Sequence, residues 1–158
     1  MSIRSIYVVE FLLVCFLLAV SVYLQVFDGF IPCPLCTLQR LCFGLLGIWF
    51  LIACCVYKKY IARCLLNTLS LLTATLGMLL AGRQIWLQHY PTHSNECGAS
   101  LEYMLGALPF NQVVQKVLVG SAECTQRGWE FFSLSMAEWS LLWFVLFLML
   151  SVYSFCKR

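Results

Sequence analysis

Charge is scarce in this chain. Lys, Arg, Asp and Glu make up 11% of its 158 residues, while 62% are apolar. Soluble domains average about 25% charged and about 45–50% apolar residues. A chain this short leaves too much surface wet to hide such an excess, so a soluble globular domain is excluded. A disordered chain is excluded too, because it needs little hydrophobicity and much charge. The net charge is only +3 and no basic block occurs, so the electrostatic footprint of a nucleic-acid binder is missing. The sequence also lacks the short apolar–polar alternation of membrane β-barrel strands. It shows no internal repeat and no low-complexity tract.

What remains is four long uncharged runs, at 11–27, 41–57, 64–82 and 139–156. With flanking apolar residues they reach the roughly 20 residues that cross a hydrocarbon core as a helix. At that depth the backbone must satisfy its own hydrogen bonds, and these runs do so as helices. The reading is an all-α membrane protein, a four-transmembrane-helix bundle. One integral membrane domain covers 1–158, with spans at about 6–27, 38–57, 64–86 and 139–156 and outer loops at about 28–37 and 87–138. The first run is too long for the apolar core of a signal peptide, and no small-x-small site follows it.

Direction follows from Lys and Arg in the short connections. Arg4, Lys58, Lys59, Arg63, Lys157 and Arg158 fall on one side, expected to be the cytoplasm with both termini. Asp28, Glu96, Glu102, Glu123, Glu130 and Glu138, six of the seven acids, fall on the other. Trp86, Tyr90 and Trp139 stand where interfacial aromatics belong. Glu10, near the inner end of the first span, is expected to snorkel to the interface. In the long outer segment, apolar residues recur at helical spacing from Leu101 to Leu108 and from Phe110 to Leu118. They predict short interfacial helices, with a small soluble cap as the alternative.

Topology sorts the ten cysteines. Cys15 and Cys42 lie inside spans, and Cys54, Cys55, Cys64 and Cys156 lie near the inner ends. These six read as small apolar side chains. Cys33, Cys36, Cys97 and Cys124 are on the outer side, where an oxidising compartment favours disulfides. Cys33-Pro34-Leu35-Cys36 is a C-x-x-C motif at the lip of the second span. Such pairs form exchange-competent disulfides, and a helix start favours a thiolate. Arg40 lies one turn after Cys36 on the same face. Two passive disulfides stapling the outer loops remain an alternative. A zinc site fits poorly, because Cys97 and Cys124 are too far apart for the usual close ligand pairs.

In the chemical reading, an outer disulfide takes electrons from a dithiol protein by exchange. A dithiol at the membrane surface can pass them to a lipid-soluble quinone. Arg40 is placed to hydrogen-bond a quinone carbonyl and support the negative charge that develops there.

The chain resembles the DsbB family of bacterial inner-membrane disulfide-bond formation proteins, thiol:quinone oxidoreductases. The resemblance is carried by Cys33-Pro34-Leu35-Cys36-Thr37-Leu38-Gln39-Arg40 and by Arg83-Gln84-Ile85-Trp86-Leu87-Gln88. It extends through Cys97-Gly98-Ala99-Ser100-Leu101-Glu102-Tyr103-Met104, Gly120-Ser121-Ala122-Glu123-Cys124, Trp129 and Ser133-Leu134-Ser135-Met136. It implies a Cys97–Cys124 disulfide that oxidises a periplasmic, DsbA-like thioredoxin-fold partner, with Cys97 the sulfur attacked. It implies that Cys124 exchanges with Cys33, that Cys36 faces ubiquinone or menaquinone, and that Arg40 supports the quinone. No metal is implied. Many relatives have His where this chain has Gln84, counted here with Arg40 on the quinone side. Gln donates a hydrogen bond but carries no charge, which bears on proton transfer there and not on thiol exchange. His89 and His93 read as solvated loop residues. A specialised paralogue serving one dedicated partner, a non-enzymatic assembly protein, and a vitamin-K-epoxide-reductase-like enzyme are the competing readings. The early position of the C-x-x-C argues against the last.

Overall fold

The computed structural model describes residues 3–27, 29, 33–90, 106–107, 109, 111–113 and 130–156. Four helices in this set are long and apolar enough to cross a membrane. They are α1 (Ile3–Phe27), α2 (Pro34–Val56), α3 (Tyr60–His89) and α4 (Met136–Cys156). The fold is an all-α membrane bundle, as the uncharged runs require. Each helix extends beyond its run because polar and charged residues at the ends continue the helix. α3, at 30 residues, is the longest and reaches about 45 Å at 1.5 Å per residue.

α3 packs along both α2 and α4, and α1 packs along α2. α1 and α4 meet only slightly. Small residues set the closest approach. Ala74, Gly77 and Ala81 line one face of α3, and the Phe144 ring of α4 lies on it. Phe144 stacks on Phe43 with centroids 4.1 Å apart, and Phe147 meets both Phe43 and Phe50. With no hydrophobic drive between helices in lipid, close packing of this kind holds them together. Polar side chains add cross-links. Tyr7 donates to Asn67 Oδ1 (3.0 Å), and Trp49 Nε1 donates to Thr73 Oγ1 (3.3 Å).

Glu10 corrects the sequence reading. Its side chain is fully buried, and neither carboxyl oxygen has a hydrogen-bond partner among the described residues. The cause is helical phase. α1 begins at Ile3, so Glu10 lies two turns inside it, on the face that carries Tyr7 and Val14 into the core. Cys42 packs in the core, while Cys15 and Cys55 face outward from the bundle.

A feature that the sequence did not suggest precedes α4. Strands β1 (Glu130–Phe131) and β2 (Leu134–Ser135) pair antiparallel, Glu130 opposite Ser135. Phe132 and Ser133 make the turn, both at positive φ (53° and 62°), the backbone that two-residue hairpin turns use. Ser135 and Glu138 then form a reciprocal cap at the start of α4. Ser135 Oγ also donates to Gln88 Oε1 of α3 at 2.9 Å. The hairpin is thereby fixed at the α2 N-terminal end of the bundle. The interfacial helices expected between 101 and 118 lie largely outside the described residues.

Candidate active site

The start of α2 is built by its own sequence. Pro34 takes the first helical position, where its missing N–H costs nothing and its ring presets φ. Cys33 is the N-cap, extended at φ −66° and ψ 163°, and its sulfur accepts from the Cys36 amide at 3.4 Å. Sulfur here occupies the place of the usual Ser or Asp oxygen, at the positive end of the helix dipole. Thr37 closes the turn, donating to the Cys33 carbonyl from its amide (3.0 Å) and its hydroxyl (3.2 Å). The two sulfurs stand 3.0 Å apart, in hydrogen-bond contact. Cys33 is buried against Leu35, Leu87 and Val113, and Cys36 is half-buried.

α3 closes over this pair. Gln84 donates from Nε2 to Cys36 Sγ at 3.1 Å and, more weakly, to Cys33 Sγ at 3.7 Å. Its Oε1 accepts from Gln39 Nε2 at 2.7 Å. Both amides are buried.

One turn after Cys36, Arg40 reaches across to α1. Its guanidinium donates to Gln25 Oε1 and to the Ser21 carbonyl (3.2 Å). Between these contacts and α4 lies a cavity of about 270 Å³. It occupies the gap that α1 and α4 leave by scarcely touching. Leu17, Leu24, Phe43, Trp139 and Trp143 give it apolar walls, and Phe131 of the hairpin lines it too. Its polar groups are few and include Cys36, Gln39 and Arg40. Trp139 is held by a bond from Nε1 to the Phe131 carbonyl at 3.1 Å. An apolar slot with a few polar groups at one place is the usual form of a small-molecule site.

Cys33, Cys36, Arg40 and Gln84, singled out in the sequence, therefore meet at one end of the bundle. Gln84 contacts the sulfurs and is not among the residues lining the cavity. Cys97 and Cys124 lie outside the described residues, as does His93. His89 ends α3, exposed, with its ring on the Ile85 carbonyl. Among the described residues, no three His, Cys, Asp or Glu side chains gather as a metal site. Sequence reasoning gave no role to Gln39, Gln25 or Trp143. A polar residue in the last turn of an apolar span was the signal for Gln25. For Gln39 it was the helical spacing from Cys36.

Comparison with known proteins gives a consistent family. The family model for "Disulfide bond formation protein DsbB" matches residues 3–154. Disulfide bond formation protein B of Stutzerimonas stutzeri (strain A1501) is 38% identical over 143 residues, covering 90% of this chain and 88% of its own. Disulfide bond formation protein B 1 of Pseudomonas aeruginosa (strain PAO1) is 38% identical over 156 residues, 98% of this chain and 96% of its own. Disulfide bond formation protein B of Marinobacter nauticus is 35% identical over 159 residues, 100% of this chain and 95% of its own.

Proposed function

The chain belongs to the disulfide bond formation protein DsbB family, and from that premise we propose that it is a thiol:quinone oxidoreductase of the bacterial inner membrane. Membership makes it a multi-pass, disulfide-forming membrane protein. The DsbA–DsbB–quinone route is general knowledge of the bacterial periplasm. What supports it for this chain is one juxtaposition. The Cys33–Cys36 pair borders an apolar cavity in which Cys36 and Arg40 are among the few polar groups.

In this reading the α2 N-terminus faces the periplasm, and residues 58–63 and both termini face the cytoplasm. A DsbA-like thioredoxin-fold dithiol attacks the Cys97–Cys124 disulfide at Cys97 and leaves as a disulfide. The Cys97 and Cys124 thiols so formed reduce the Cys33–Cys36 disulfide, Cys124 attacking Cys33. Each exchange makes one S–S bond and breaks one, so two electrons and two protons arrive at Cys33 and Cys36.

The cavity fits a quinone ring. Its walls are apolar, it lies between α1, α2 and α4, and Cys36 and Arg40 both line it. A quinone bound there, ubiquinone or menaquinone, supplies the terminal acceptor by taking up the two electrons and two protons. The chain's own part is to bring Cys36 to the wall, to exclude water with Phe43, Trp139 and Trp143, and to present Arg40 as a fixed donor.

The test is turnover by the purified full chain with a reduced thioredoxin-fold protein and a soluble ubiquinone analogue, followed by quinone absorbance. The wild type should reduce the quinone, and Cys36→Ser should stop it. Full turnover by Cys36→Ser would end the proposal.

A further inference from the structure

Sulfurs that exchange disulfides carry negative charge by turns, because thiolate is both attacker and leaving group. In a buried site that charge needs donors already in place. α2 contributes one from its backbone, the Cys36 amide on Cys33 Sγ. Facing it from α3, Gln84 turns one amide nitrogen to both sulfurs, 3.1 Å from Cys36 and 3.7 Å from Cys33. A primary amide carries two N–H bonds, one for each sulfur.

An amide can meet sulfur with either end. With its oxygen there it would repel a thiolate. Gln39 Nε2 donates to Gln84 Oε1 at 2.7 Å, which leaves the Gln84 nitrogen for the sulfurs. Turning Gln84 over alone would set its N–H groups against those of Gln39. The arrangement of Gln39 and Gln84 is therefore mutual, and here it presents nitrogen to the sulfurs. Only 3% of each residue is exposed, so bulk water cannot readily take over either bond.

We propose that Gln84 is a catalytic residue of the thiol exchange, a neutral donor that stabilises charge on Cys36 and Cys33, and that Gln39 is a positioning residue that keeps its amide the right way round. The proposal rests on the redox reading of the Cys33–Cys36 pair. It assigns Gln84 to the sulfurs and not to the acceptor in the cavity. Because an amide neither gains nor loses a proton at ordinary pH, Gln84 acts by hydrogen bonding alone, where a histidine would add acid–base chemistry.

The test uses the purified full chain, reduced and free of quinone, with Cys97→Ser and Cys124→Ser so that exchange is confined to the α2 pair. Alkylation of Cys36 by iodoacetamide at fixed pH is read peptide by peptide, with Cys64 as the internal reference. Gln84→Met should slow Cys36 about tenfold, the size expected for one hydrogen bond to a charged group. It should also move the pair's equilibrium with glutathione about tenfold toward the disulfide, and leave Cys64 unchanged. Gln84→His, which keeps an N–H donor, should restore most of the rate. Gln39→Leu should slow Cys36 in the parent and add nothing when Gln84→Met is already present. An unchanged rate in Gln84→Met, or equal slowing by Gln39→Leu in both backgrounds, overturns the proposal. Should Gln84→Met not fold, Gln84→Leu removes the donor with a different apolar side chain and carries the same expectation. No quinone or partner enters these measurements. They therefore stand or fall separately from the turnover test of Cys36→Ser.

Discussion

Arg40 of α2 and Gln25 of α1 are joined beside the cavity, guanidinium to side-chain carbonyl, and the Ser21 carbonyl takes a second donor. The cation that lines the cavity is thus held by α1, which lines the cavity too. Guanidinium presents several donors in a fixed plane, so it can bind α1 and still offer an N–H to a ligand.

Gln25→Leu should loosen that plane without removing the charge. The KM for a ubiquinone analogue should rise about three- to tenfold, in line with the loss of one charge-assisted bond. Arg40→Lys keeps the charge but loses the fork, and should raise KM at least as much. Steady-state quinone reduction measures both, and an unchanged KM in both variants would remove Arg40 from the acceptor site.

A thioredoxin-fold substrate that keeps only its attacking cysteine cannot resolve a mixed disulfide. Mixed with the oxidised full chain, its thiolate should break the Cys97–Cys124 bond, release the Cys124 thiol and accumulate as a mixed disulfide on Cys97, visible on a non-reducing gel and abolished by Cys97→Ser. Should the adduct instead map to Cys33, the order of exchange proposed above is wrong.

Gly77→Ala tests the packing of α3 on α4. An added Cβ would run into the ring of Phe144, closer than real Cβ atoms come, and that ring is fully buried. The loss should be about 2 kcal/mol or more, the upper part of the range for overpacked cores. Reversible unfolding in mixed micelles measures it, and Gly44→Ala, with open space at its Cβ, is the control.

Glu10→Met should not destabilise the bundle. The carboxyl is fully buried with no hydrogen-bond partner among the described residues, and such a group costs free energy that an apolar side chain of similar volume does not. The expected gain is about 1–3 kcal/mol on the same unfolding scale. A clear loss of stability would mean that Glu10 has a partner.

Orientation is open to direct labelling. In a variant without the other reactive thiols, a cysteine placed by Lys59→Cys should resist a membrane-impermeant maleimide in intact cells, while one placed by Phe132→Cys at the exposed hairpin turn should react. The reverse pattern would put the dithiol in the cytoplasm and leave the proposed electron route without a compartment.

Much of this molecule was legible along the chain. Spans follow from where charge is absent, because burying a charge in lipid is costly whatever the fold. The Cys33–Cys36 turn follows from local chemistry, a proline that starts a helix and a cysteine that caps it. Arg40 follows from spacing on one helix. These features depend on residues near one another in sequence. Three things depended instead on how helices meet. Glu10 turned inward because helical phase and packing put its face against the core. The cavity exists because α3 packs along both α2 and α4, while α1 packs along α2 and meets α4 only slightly. Gln84 found sulfur because α3 places it over α2, 48 residues away in sequence from Cys36, and no periodicity within either helix encodes that distance.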